Sequence, residues 1–283
     1  MVEINEPPSL GLFHSARMIR EHGYKALVWK ILWKLPALRR LVSWRFAVAT
    51  RNIVDLEDAL EFAFSGRFGT LITPIQICSE IRALCEIVRQ YRARTMLEIG
   101  TERGGTFFLF SRVAAPDASL VSVDLPRTDL KPWRRSLFAY LGKKGQNVFA
   151  IEGDSHATST LERVHRVLGG RKLDFLFIDG DHSYEGVKQD FENYIGSLND
   201  EGIVAFHDIN PDYRTRFGKP TGVCAGEVYR FWAEVKMKYS YAEFIDNPGQ
   251  DGFGIGVLFV GSNAEKILMD SHQLKFHALN RQP

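Results

Sequence analysis

Two apolar runs of this chain end in groups that can bind a cation or move a proton. Leu173–Ile178 stops at Asp179-Gly180-Asp181-His182, and Ile203–Phe206 stops at His207-Asp208. In a parallel sheet, neighbouring strands end at one edge, about 4.8 Å apart. That edge would bring Asp179, His207 and Asp208 together as ligands for a divalent metal. Carboxylate oxygens suit Mg2+ or Mn2+, and the imidazole shifts the preference toward Mn2+ or Fe2+. Such an ion lowers the pKa of a coordinated hydroxyl. His182, one turn past Asp179, is the expected proton acceptor, because histidine titrates near working pH. Asp181 competes as ligand or base. The bland alternative is a glycine turn whose Asp caps the following helix.

Three earlier runs end in the same manner. "MLEIGTERGGTFF" puts Gly100, Gly104 and Gly105 in a strand-to-helix turn, where ligands approach backbone in open α/β sheets. Glu102 stands where a dinucleotide fingerprint has its second glycine. With Glu98 it places negative charge where a pyrophosphate would sit, so a cationic or zwitterionic ligand suits the turn better. Asp124 follows Gly100 at the offset of a ribose-binding acid. Asp154 and Ser155, in "IEGDSH", stand where an adenine amino group could be read. A ribose, an adenine and a positive charge without phosphate describe S-adenosyl-L-methionine.

These residues need a frame. Strands are expected at Thr95–Ile99, Leu120–Asp124, Val148–Glu152, Leu173–Ile178, Ile203–His207, Tyr241–Ile245 and Gly254–Val260. Helices are expected near Gly105–Val113, Leu130–Leu141, His156–Leu168, Tyr184–Leu198 and Ala225–Lys238. "TPIQ" reads as a helix start, with Thr73 as cap and Gln76 as its reciprocal partner, for a helix to about Tyr91. The alternation predicts an α/β, Rossmann-like doubly wound fold with a mostly parallel seven-stranded sheet and a helical N-terminal extension. The expected division is residues 1–72 for the extension, 73–262 for the α/β domain and 263–283 for a tail. Trp232 is expected in the core.

Composition sets bounds. With 45% hydrophobic and 25% charged residues the 283-residue chain can build a sizeable core, and a net charge of +2 gives no case for nucleic acid. The three cysteines make no disulfide framework, and Cys78 and Cys85 read as small helix-core residues. No signal peptide and no membrane span are expected, and the expected location is the cytoplasm. Eight Lys/Arg and three Trp lie between Arg17 and Arg45, against the single acid Glu21. This segment is expected to serve as a cap or homo-oligomer contact. Its other use is peripheral contact with the inner face of the membrane. The stretch after Asp208 offers Tyr213, Arg214, Arg216 and Lys219 to a polar or anionic substrate, or simply to solvent.

"LEIGTERGGT" and "VSVDL" resemble the first two motifs of the class I S-adenosylmethionine-dependent methyltransferases, and the resemblance covers about Thr73–Val260. It implies that Glu98, Gly100, Thr101, Gly104 and Thr106 line the methionine side, that Asp124 holds the ribose, and that Asp154 and Ser155 border the adenine. "FIDGDH" with "FHDI" is similar to the metal-dependent O-methyltransferases, in the branch of cephalosporin-hydroxylase-like and rhamnosyl O-methyltransferase proteins. There an acid after the fourth strand and a pair after the fifth bind the metal, and in the more distant catechol O-methyltransferases the base stands three residues after the first ligand, here His182. The first member of the pair is His207, where relatives carry an acid or amide. The expected function is methylation of a hydroxyl on a sugar, glycolipid or natural product. Two other classes stand against it: a nucleotide-sugar glycosyltransferase holding a metal with Asp179-Gly180-Asp181, and a non-catalytic adenosyl-binding protein.

Overall fold

The computed structural model describes residues 36–65, 69–126, 137–261 and 279–280. Arg17–Leu35, where apolar residues at Val28, Ile31, Leu32 and Leu35 give helical spacing, the first seven positions of the helix expected over Leu130–Leu141, and the basic segment up to residue 35 lie outside them. The chain divides into two compact units, Met1–Ala49 and Thr50–Pro283.

Helix α1 spans Pro36–Arg51. Asp55 caps α2 (Leu56–Phe64) through the Asp58 N–H at 2.9 Å. A short α3 (Gly69–Ile72) follows. The expected capping box at Thr73 does not form. α4 (Cys78–Tyr91) starts after Ile77 without a side-chain cap, leaving residues 73–77 as an extended approach. The reason is packing: a Cβ on Gly105 would lie 2.0 Å from the Ile72 carbonyl oxygen and 2.6 Å from the Pro74 nitrogen, so this stretch runs over the start of the next helix.

From there strands and helices alternate: β1 (Thr95–Ile99), α5 (Gly105–Val113), β2 (Ser119–Asp124), β3 (Asn147–Glu152), α6 (Thr158–Leu168), β4 (Leu173–Ile178), α7 (Tyr184–Ile195), β5 (Leu198–His207), α8 (Tyr213–Phe217), α9 (Val228–Val235), β6 (Ser240–Phe244), β7 (Ile255–Phe259) and β8 (Leu279–Asn280). The sheet order is β3-β2-β1-β4-β5-β7-β6-β8. β1 to β5 pair in parallel, and β7, β6 and β8 antiparallel. The sheet therefore has eight strands rather than seven, because two residues of the expected C-terminal tail pair with β6.

Aromatic side chains fill the layers on the two faces of the central strands. Phe110 of α5 meets Phe175 and Phe177 edge-on at 5.0 and 5.2 Å. Phe206 packs on Phe191, Phe231 and Trp232. Trp232 is 2% exposed and lies against Gly256, where a Cβ would sit 2.7 Å from its ring. It is the core residue that helical spacing suggested. Cys85 is likewise buried, and the three cysteines are free thiols.

Candidate active site

Strand order reverses between β1 and β4, and a cleft of about 750 Å3 opens at their carboxyl ends. Its walls include Gly100, Thr101, Thr106, Asp124, Asp154, Ser155, Asp179, His182, His207 and Asp208. Glu98 and Gly104 are not among them.

The turn after β1 is built by crowding. Gly100 has φ +82°, and a Cβ there would lie 1.9 Å from the Asp179 carbonyl oxygen. Only glycine lets β1 and β4 approach so closely. Glu102 holds φ +47°, a left-handed conformation uncommon for a side-chain-bearing residue, and its N–H donates to Asp124 Oδ2 at 2.7 Å. Asp124 thus faces the cleft and ties the turn to β2. Thr101 accepts from Ser122 Oγ at 2.7 Å. Glu98 is buried behind this turn, where the Thr106 hydroxyl donates to its carboxyl group. Burial pushes its pKa up to about 8 despite that hydroxyl, so the carboxyl is mostly neutral at pH 7. Glu98 supports the turn from beneath and lies off the cleft wall.

At the β3 end, Asp154 Oδ1 accepts the His156 N–H at 2.9 Å, and the Ser155 carbonyl accepts from the buried Tyr194 hydroxyl at 3.0 Å. His156 also lines the cleft, and its Nε2 lies 3.2 Å from Oδ1 of the fully buried Asp190. Burial raises Asp190 to about 6.

The ends of β4 and β5 meet as their spacing suggested. His207 Nδ1 lies 3.1 Å from Asp179 Oδ1 and 3.5 Å from Asp208 Oδ2. His182 Nδ1 lies 3.1 Å from Asp208 Oδ2 and 2.6 Å from the Cys224 carbonyl oxygen, and its Nε2 is 3.5 Å from Asp179 Oδ1. Gln76 Nε2 donates to Asp179 Oδ2 at 2.7 Å. Burial alone would favour neutral groups throughout. The carboxylates outweigh it, raising His182 to about 9 and His207 well above the ordinary histidine value. Asp179 is held down at about 2, since the two imidazoles outweigh its desolvation. In charge terms the cluster is two carboxylates balanced by two imidazolium protons. Both nitrogens of His182 face acceptors, so its proton is held far more firmly than a free imidazole would hold it.

A cation would fit this donor set. Asp179, His182 and Asp208 each offer a ligand atom within 4.8 Å of the others, a set that has His182 where the sequence suggested His207. Asp181 instead braces the following turn. Its Oδ1 accepts the Ser183 N–H at 2.9 Å and its carboxyl abuts Gly186, while Ser183 caps α7. The cations expected after β5 are not on the cleft wall. Arg216 donates to the Pro248 and Gln250 carbonyls, and the Tyr213 hydroxyl donates to Gly249. Gly222, Val223 and Cys224 of that stretch do line the cleft. Sequence reading missed Gln76, the Cys224 carbonyl and Phe253. A lone polar residue inside "PIQI" was the one available hint.

The methyltransferase-domain family matches residues 97–209, the span that holds the β1 turn and the Asp/His cluster. Over that span the chain is similar to a methyltransferase domain. The same fold occurs in a candidate O-methyltransferase from Klebsiella pneumoniae, 18% identical with a TM-score of 0.52, covering 73% of this chain and 90% of that one. It occurs also in a candidate caffeoyl-CoA O-methyltransferase from Staphylococcus aureus, 19% identical with a TM-score of 0.52, covering 76% and 97%. An uncharacterised protein of Sinorhizobium fredii (strain NBRC 101917 / NGR234) is 29% identical over 178 residues, 62% of this chain. The chain spans only 18% of that relative's length. Among the described residues no helix is long and apolar enough to cross a membrane.

Proposed function

We propose that the protein is an O-methyltransferase acting on a hydroxyl of a sugar, glycolipid or natural product, assisted by a divalent cation. The observation that carries this reading is the position of Asp179. It belongs to the Asp/His cluster, and its peptide abuts the Gly100 turn of the cofactor cleft. A cofactor and an acceptor hydroxyl bound on either side of Asp179 would be neighbours.

The cleft suits S-adenosylmethionine in volume and charge. Among its described lining residues Arg103 is the one Lys or Arg, against Glu102, Asp124, Asp154, Asp179, Asp181 and Asp208. When bound, the cofactor supplies an electrophilic methyl group on a sulfonium. Asp124 would accept from the ribose hydroxyls, Asp154 and Ser155 would border the adenine, and Gly100, Thr101 and Thr106 would face the methionine part. Asp179 and Asp208 would hold a divalent cation with one imidazole, and that ion supplies charge to acidify and orient a hydroxyl. His207, the more buried ring, is assigned as ligand, and His182, the more exposed, is assigned to take the acceptor's proton; both roles require that the incoming cation first displace the imidazolium protons that the carboxylates hold in its absence. The new O–CH3 bond replaces the S–CH3 bond, leaving a neutral thioether.

Transfer of labelled methyl to metabolite extract, with and without chelator, tests this reading. Chelation should abolish transfer while leaving S-adenosylhomocysteine binding intact. Full transfer by demonstrably metal-free protein would remove the cation, and no transfer with any extract or metal would favour a non-catalytic adenosyl-binding protein. The glycosyltransferase alternative finds no support in the family match, and Asp181, though on the cleft wall, has one oxygen engaged by the Ser183 N–H.

A further inference from the structure

Three consecutive residues, Gly252, Phe253 and Gly254, have φ of +73°, +59° and +86°. Glycine adopts this region freely, whereas a bulky aromatic seldom does. The strain at Phe253 is held in place from both sides. Asn210 donates from its backbone N–H to the Phe253 carbonyl and from Nδ2 to the Gly252 carbonyl, both at 2.9 Å. The Gly254 N–H donates at 2.9 Å to Oε2 of Glu80, a carboxylate 1% exposed on α4. The other Glu80 oxygen takes the Asp246 N–H and Gln250 Nε2, at 3.0 and 2.7 Å. Such over-determined strain collects at functional sites.

The clamp places a ring where the cluster needs a wall. Phe253 is half-buried on the cleft surface, its ring centre 6.0 Å from that of His207 and tilted by 61°. Pro74, Val223 and the 60% exposed Ile75 line the same cleft. We propose that Phe253 is the acceptor-contact residue, and that the acceptor is an uncharged hydroxylated ring, aryl or pyranose, with an apolar face laid on the Phe253 side chain. This rests on the methyl-transfer reading and narrows its substrate class. The acidic cleft repels anions, and Arg214, Arg216 and Lys219 are off its wall, so phosphorylated or carboxylated acceptors are disfavoured.

Saturation-transfer NMR on full-length protein loaded with S-adenosylhomocysteine tests it, with catechol and methyl α-D-glucopyranoside as neutral probes. Their anionic counterparts are 3,4-dihydroxybenzoate and glucose 6-phosphate. At least one neutral probe should bind at millimolar concentration and more tightly than its anionic counterpart, and the ring that binds names the source. Phe253→Asn, which tolerates a positive φ, should weaken that binding about tenfold, and Phe253→Leu less, the loss expected for one aromatic contact. Calorimetric S-adenosylhomocysteine affinity should stay unchanged in both variants. Anionic probes binding equally well, no neutral probe binding, or unchanged binding in Phe253→Asn would overturn the assignment. Failure of the unmodified protein to bind S-adenosylhomocysteine would instead defeat the methyl-transfer reading beneath it.

Discussion

Glu98→Gln should stabilise the protein, increasingly so as pH rises from about 4.5 to about 8. The carboxyl ionises near 4.5 when exposed and near 8 in the fold, chiefly because burial strips its water. Between those values the unfolded chain releases a proton that the folded chain keeps. Stability is therefore lost as pH rises from about 4.5 to about 8, and is level above. At about 1.4 kcal/mol per pH unit the loss is on the order of 5 kcal/mol. Local relaxation makes that an upper bound. Glutamine imitates the neutral acid, can still accept from Thr106, and has no proton to lose. Thermal denaturation of both proteins should coincide near pH 4.5 and separate by pH 8.5, with the variant higher by roughly 5–15 °C for a chain of this size. Parallel curves, or a variant less stable at pH 8.5, would show that Glu98 is charged in the fold and would return it to the ligand-binding role expected from sequence.

Asp124→Ala should weaken S-adenosylhomocysteine binding about ten- to a hundredfold, the worth of a charged hydrogen bond, when measured by calorimetry. An unchanged Kd would sink the ribose assignment. Asp208→Ala should behave like chelator in the methyl-transfer assay and resist rescue by Mn2+; activity restored by modest Mn2+ would argue against its ligand role. His182→Ala should lower turnover by about 10²–10⁴ while Mn2+ affinity holds. Lost Mn2+ binding would make His182 a ligand and pass the proton to another group. Gly100→Ala should cost more than about 2 kcal/mol, since its Cβ meets backbone at a positive φ. Gly104→Ala should cost less, because its nearest neighbour is the flexible Leu141 side chain. Equal melting temperatures for the two variants would refute that distinction.

The sheet was legible because its central strands are mostly apolar runs that stop at glycine, acidic or histidine residues. Asp124, Asp154, Asp179, His207 and Asp208 stand at or just beyond strand ends because that break in pattern is local and strong. What was hidden depends on distance along the chain. Gln76 and Asp179 are 103 positions apart, and Glu80 and Gly254 are 174 apart. No window of sequence connects them. Thr73-Pro74-Ile75-Gln76 imitates a capping box, and only the Gly105 crossing shows why it stays extended. Glu98 looked like a ligand because strand ends favour ligands. Its burial follows from pleat direction and the overlying helix, neither of which spacing alone reveals.

The contact between Gly100 and Asp179 has a thermodynamic consequence. The backbone turn that would cradle the cofactor and the peptide that carries a cluster carboxylate are packed without a gap, so a shift in one displaces the other. Two ligands bound on either side of that contact cannot be independent. By linkage, whatever factor a cation changes in cofactor affinity, the cofactor must return to the cation. Titrating Mn2+ with and without S-adenosylhomocysteine, and the reverse, should give one factor measured twice. A factor of one in both directions would show that the contact transmits nothing.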